Sequence, residues 1–159
     1  MSLLQNLKNK IERVKFQAVQ KAQLDKVGLE AKDIIYKRTK SGKGLDSAKN
    51  TKMKFKPLSK AYVTRRKKMK LGEYGSPSRS NLTLTGQMLN SMKYTSKQKR
   101  VEIFIAKSSR SGSKHTNAEV AAFCEKNGRY FMGLAEGEIR IILNNYRKRL
   151  KLIARNILK

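Results

Sequence analysis

Two apolar stripes at opposite ends of the chain constrain its fold most. Leu4, Leu7, Ile11, Val14 and Ala18, continued after a shift by Leu24, Val27, Ala31 and Ile34, recur in three- and four-residue steps. Ile139, Ile142, Leu143, Tyr146, Leu150, Ile153 and Ile157 do the same near the other terminus. Such steps place apolar side chains on one face of an α-helix. The spacing therefore predicts helices from Ser2 to about Arg38, with Ser2 as N-cap and a weak point at Gly28, and from Glu136 to about Leu158. Each helix must bury its stripe against its own domain or against a neighbouring subunit.

Between the helices the pattern changes. Val101-Glu102-Ile103-Phe104-Ile105-Ala106 alternates in steps of two with β-branched residues, which predicts a strand, with Tyr94 to Ser96 as its hairpin partner. Thr39 to Thr51 clusters Gly, Ser, Asp and Asn without a period and reads as a loop. Pro57 makes Lys56 extended, and Ser59 is suited to cap a short helix through Lys68 with Tyr62 and Val63 facing inward. Leu71 to Ser80 reads as a second loop. Asn81 to Met92 reads as helix capped at Thr83 or Thr85, with Met88, Leu89 and Met92 on one side. Lys107 to Asn117 reads as a basic flexible loop, Ala118 to Glu125 as a short helix stopped by Asn127-Gly128, and Phe131 to Leu134 as an apolar patch. At 159 residues one domain is expected, able to bury roughly 70% of its unfolded surface. The fold class is α+β: a long N-terminal helix and a C-terminal helix packed on a small antiparallel sheet. Along that domain lie a helical arm (1–40), a basic middle segment (41–100), and the strand and C-terminal helix (101–159).

Charge narrows the partners. The 38 Lys and Arg against 11 Asp and Glu give a net charge of +27. Self-repulsion at this level calls for an anionic counterpart: nucleic acid, an acidic protein surface or an anionic membrane. Residues 41–100 carry 16 basic and 2 acidic side chains, a balance of +14 and the densest of the three segments. Lys60, Arg65, Arg66, Lys67, Lys68 and Lys70 cluster there, flanked by Tyr62 and Tyr74. With so few aromatics for stacking, this favours sequence-independent contact with phosphates, or an acidic protein face, over base readout. No apolar run approaches the roughly 20 residues of a membrane span, and no signal peptide is visible. Cys124, the single cysteine, allows no internal disulfide and suits a reducing compartment.

Enzyme classes find little support. A phosphate loop through Gly42-Lys43 would need glycine at position 37 and a hydroxyl at 44, where Lys37 and Gly44 stand. His115 and Cys124 are the only His and Cys, too few ligands for zinc, and no nucleophile motif surrounds either. No enzyme activity, cofactor or metal is expected.

The motifs in order carry a resemblance. Phe55-Lys-Pro57-Leu58-Ser59, then Arg65-Arg66-Lys67, then Leu82-Thr-Leu-Thr85-Gly86-Gln-Met88-Leu89-Asn-Ser91 precede the strand. Ala121-Ala122-Phe-Cys-Glu125-Lys-Asn-Gly128-Arg129-Tyr-Phe131-Met-Gly133-Leu134 follows it, ahead of the last helix. The set resembles the tail-completion proteins of tailed bacteriophages, also called virion morphogenesis, neck or head–tail connector proteins. In that family a Leu-x-x-Thr-Gly-x-Leu-x-x-Ser segment leads into the sheet, and Arg-Pro-Phe-Leu-Gly-Leu precedes the last helix. Here Tyr130 stands where the family usually has proline, and Cys124 where histidine is common. The resemblance spans about Phe55 to the C-terminus. It implies a virion protein, made in a bacterial cytoplasm, that forms a six- or twelve-fold homo-oligomeric ring at the head–tail junction. Such a ring meets portal or head-completion proteins and tail-tube or tail-terminator proteins, and lets DNA pass. The alternative is a sequence-independent nucleic-acid-binding protein.

Overall fold

The computed structural model describes residues 3–46, 48–69, 76–83, 85–97 and 100–157, with the side chains of the first helix from residue 17 and of the last through residue 156. Ser2, Tyr74 and Lys70 lie outside the described residues, as do the side chains of the first half of the N-terminal stripe.

The chain is α+β, as its periodicities predict. Helix α1 (Leu3–Lys40) runs through Gly28 without a break. That glycine is a contact surface rather than a weak point: a Cβ there would lie 2.3 Å from Cδ2 of Tyr94. Lys37, Arg38 and Lys40 occupy the last turn, where the helix dipole is negative. The helix ends at Gly42, whose φ of 83° lets its amide reach Thr39 O.

The expected loop at Thr39 to Thr51 is instead the end of α1 followed by a β-hairpin. Strands β1 (Lys43–Asp46) and β2 (Thr51–Lys54) pair antiparallel, Lys43 opposite Lys54 and Asp46 opposite Thr51. Asp46 Oδ1 accepts the amides of Ala48 and Lys49, which organises the turn. Each strand has a single large apolar side chain, Leu45 or Met53, so no alternation marks it. Long-range contacts hold it: the Leu45 amide donates to Tyr130 O at 2.8 Å, and Phe55, just past β2, is buried.

Helix α2 (Lys60–Lys67) starts where expected, with Ser59 Oγ accepting the Tyr62 amide. Its inward residue is not as expected: Arg66 is 3% exposed, whereas Tyr62 is 38% exposed. Helix α3 (Gln87–Asn90) is one turn and far shorter than the predicted Asn81–Met92 helix. Leu82 at φ 55° and Gly86 at φ 74° both take left-handed backbone, which an α-helix cannot propagate through. Its cap is therefore Gly86, not Thr83 or Thr85, and Met92 opens a strand.

Strands β3 (Met92–Lys97) and β4 (Arg100–Ile105) form the predicted hairpin, in register from Met92 opposite Ile105 to Lys97 opposite Arg100. The basic loop beyond β4 is pinned: Asn117 donates from its backbone to Ser108 O and from Nδ2 to Ser108 Oγ. Helix α4 (Asn117–Lys126) begins with a reciprocal cap between Thr116 and Glu119, and Gly128, at φ 72°, follows its end. Helix α5 spans Glu136–Ile157.

Helix α1 lies across the β3–β4 hairpin and alongside α5, while α3 and α4 pack beside each other. The core between these layers gathers Ile35, Phe55, Met88, Leu89, Met92, Ile105, Ala121 and Phe131. At its edge Arg38 reaches Glu138 at 2.5 Å and the carbonyls of Phe131 and Gly133 at 2.6 and 3.0 Å. This buried pair ties the end of α1 to the start of α5. No helix among the described residues is long and apolar enough to cross a membrane.

Candidate partner-binding cleft and helix face

The Pro57 segment, α2, the residues Ser80, Leu82, Thr85, Gly86 and Met88, and the inner face of α4 line a cleft of about 660 Å³. Its position follows from the local structure. Pro57 and Ser59 set the path into α2, the left-handed residues Leu82 and Gly86 fold their segment back over it, and the Thr116 cap aims α4 at the same space. Pro57, Leu58, Leu82, Thr85, Gly86 and Arg129 all line it. Motif positions as far apart in sequence as Pro57 and Arg129 thus converge on one cavity.

The cleft is cationic. Arg66, Arg110, Arg129 and Lys56 line it, and among the described residues no carboxylate does. Arg66 donates through Nη1 to Arg79 O at 3.2 Å and stacks 5.7 Å from the centre of the Tyr62 ring. Its Nε and Nη2 are buried without a hydrogen-bond partner among the described residues. Burial pushes its guanidinium pKa down, with Tyr62 opposing. Arg129 Nε donates to Ser80 Oγ at 3.3 Å. Arg110 Nη1 donates to Asn117 Oδ1 at 3.3 Å and leaves Nε unpartnered. Leu82, Met88 and Val120 supply apolar wall.

The predicted basic cluster is therefore divided. Lys60, Arg65, Lys67 and Lys68 are exposed, and among the described residues none pairs with a carboxylate. Arg66 turns inward to the cleft, away from the exposed face that Lys60, Arg65, Lys67 and Lys68 share. Lys70 is outside the described residues. Arg110 escaped sequence reading altogether, because a lone arginine in a serine-rich loop carries no local signal.

The remaining motif positions serve packing. Leu89 and Phe131 are core residues, and Leu134 packs against that core. Ser91 Oγ donates to Met88 O at 2.7 Å. Gly133, at φ 130°, leaves 3.0 Å between a would-be Cβ and Leu45 Cδ1. Gly128 follows the end of α4, whose half-buried Glu125 lies in the last turn.

A second surface lies on α5. Its inner side is Glu138, Ile142 and Arg149, with Arg149 bonded to Glu30 and Gln23 of α1. Three residues of the predicted stripe lie to one side of that contact: Ile139, Leu143 and Leu150 are 43, 45 and 38% exposed, while Ile142 is buried and Tyr146 and Ile153 are half-buried. The helix is rolled so that Glu138 and Arg149 face α1 together with Ile142, and part of the apolar stripe faces outward.

His115 and Cys124 border a shallow hollow of about 260 Å³ with Glu119 and Phe123. Burial pushes the Cys124 thiol up, with Arg129 and Arg110 pulling the other way. A nucleophile needs the opposite shift. Among the described residues no group of three or more His, Cys, Asp or Glu is placed to hold a metal ion.

Compared with family models, curated proteins and solved structures, the chain matches none of them.

Proposed function

We propose that this chain is a structural subunit of a tailed-phage particle: one member of a homo-oligomeric ring at the head–tail junction that joins tail to capsid and lets DNA pass. It performs no turnover. The observation that carries this reading is the outward apolar row Ile139, Leu143 and Leu150 on α5. A row of exposed aliphatic side chains on one helix of an otherwise very basic chain is stabilised by burial against another protein surface. A ring requires two different complementary patches per subunit, and the α5 row supplies one. The ordered motifs from Pro57 to Leu134 support the same assignment, since they converge on a cleft or on the core behind it. Portal or head-completion proteins and tail-tube or tail-terminator proteins are the proposed neighbours, with six- or twelve-fold symmetry. Native mass spectrometry and electron micrographs of the purified protein test the proposal. Closed rings support it, and a monomer that persists at high concentration overturns it.

A second reading, sequence-independent nucleic-acid binding, draws on exposed Lys60, Arg65, Lys67 and Lys68. Its mark is tight binding of free duplex with a steep salt dependence in the absence of rings.

A further inference from the structure

The cleft beside α2 is built for a ligand that the ring proposal leaves unspecified. We propose that it receives an acidic peptide segment of an adjoining protein. One carboxylate engages Arg66, with Arg110 and Arg129 around it, and a neighbouring aliphatic side chain rests on Leu82 and Met88. This names the chemistry of one partner and rests on the reading above for where that partner comes from.

Three observations support the assignment. The first is the state of Arg66. Nη1 is committed to Arg79 O, and the two unpartnered nitrogens are Nε and Nη2. These form the side-on edge of the guanidinium, whose parallel N–H groups match the two oxygens of a carboxylate. Burying that edge unpaired is unfavourable, so an occupant that pairs it is stabilised.

The second is size and lining. A cavity of about 660 Å³ falls in the range that takes a small molecule or a few side chains. A DNA duplex, about 20 Å across, rides on a surface and cannot enter. Among the described residues Tyr62 is the aromatic of the wall, and Arg66 lies over its ring, which leaves that ring little platform for base stacking. Leu82, Met88 and Val120 suit an aliphatic side chain.

The third is charge. Among the described residues, no carboxylate joins Arg66, Arg110, Arg129 and Lys56 in the lining. With 11 acidic against 38 basic residues, a second copy of this chain is a poor source of one. A different, acidic protein is the complementary partner.

The test is fluorescence anisotropy with a labelled short peptide of alternating leucine and aspartate. Two controls accompany it at the same ionic strength: the same peptide with serine in place of leucine, and a short labelled DNA duplex. The leucine peptide binds tightest. Arg66→Lys, which keeps the charge and loses the fork, weakens it about tenfold or more, as does Arg110→Ala. Lys97→Ala with Arg100→Ala, at the tip of the β3–β4 hairpin, changes it less than about twofold, because exposed charges act weakly at a distance. Thermal melts report whether each variant is folded; if Arg66→Lys is not, Arg110→Ala decides. The inference is overturned if the serine peptide or the duplex binds as tightly, or if the hairpin-tip variant loses as much as Arg110→Ala. Rings that ignore the peptide overturn the cleft alone. A solitary monomer that binds it overturns the ring alone.

Discussion

Gly28 in the middle of α1 faces the ring of Tyr94 in β3 so closely that a Cβ on the glycine would lie 2.3 Å from Cδ2 and 2.9 Å from Cε2. Helix and hairpin meet at this point, and the absent side chain sets their separation. Glycine in a helix interior normally costs about 1 kcal/mol relative to alanine. Gly28→Ala is nonetheless expected to destabilise, because the tyrosine ring must move out of its packed position. Tyr94→Ala should recover part of that loss in the double variant. Urea denaturation of the four proteins in the cycle measures it; stabilisation by Gly28→Ala alone would contradict the close approach.

Arg38 and Glu138 form a pair whose side chains are each 3% exposed. Burial lowers the Arg38 pKa and the Glu138 carboxylate opposes that shift. Removing one partner leaves an uncompensated buried charge, and Glu138→Leu should cost about 3–5 kcal/mol. Arg38→Met combined with Glu138→Leu should cost less than the sum of the single changes. Thermal unfolding checks both statements.

The α5 row makes a different prediction. Leu143→Lys and Leu150→Lys alter exposed positions, so the monomer's unfolding free energy should move by no more than about 0.5 kcal/mol. Assembly should fail. Analytical ultracentrifugation distinguishes this from a core role, in which both substitutions would unfold the chain.

Arg65, Lys67 and Lys68 project from α2 and its C-cap, while Arg66 between them points inward. If the exposed three neutralise phosphates, substituting all three by alanine lowers the log–log salt slope of duplex binding by about 0.9 for each phosphate left without its cation. Arg66→Ala should leave that slope nearly unchanged and reduce the melting temperature. A salt titration of affinity for each variant separates the two roles.

Burial holds the Cys124 thiol above the ordinary cysteine range, only partly offset by Arg129 and Arg110. The thiolate is the reactive form, so iodoacetamide should label the folded protein slowly at neutral pH. The rate should rise through a midpoint above that of the urea-unfolded chain. A folded-state midpoint below the unfolded one would mean that the arginines outweigh burial.

Local signals read directly from sequence were those that need no distant partner. Ser59 caps α2, Asn127-Gly128 terminates α4, and the Val101–Ile105 alternation predicts β4 with β3 opposite it. Each rests on side-chain–backbone bonding or on a repeat within a few residues. The β1–β2 hairpin was not legible, because its stabilising contacts lie with Tyr130 and with Phe55 in the core. The shortness of α3 was hidden too, since nothing about Leu82 as a residue type announces a φ of 55°. The cleft was half legible: Pro57, Leu82, Thr85, Gly86 and Arg129 stood out as motif positions, and Arg110 did not.

By itself the sequence determined which segments are helical, where several of them start and stop, and that the chain carries far more positive than negative charge. Tertiary structure alone decided that Arg66 turns inward while its neighbours face solvent, and that α5 meets α1 through Glu138, Ile142 and Arg149 while Ile139, Leu143 and Leu150 stay exposed. The reason is physical: a helical period places residues on a common face, but the orientation of that face depends on contacts such as Arg149–Glu30 and Arg38–Glu138, which join residues about a hundred positions apart.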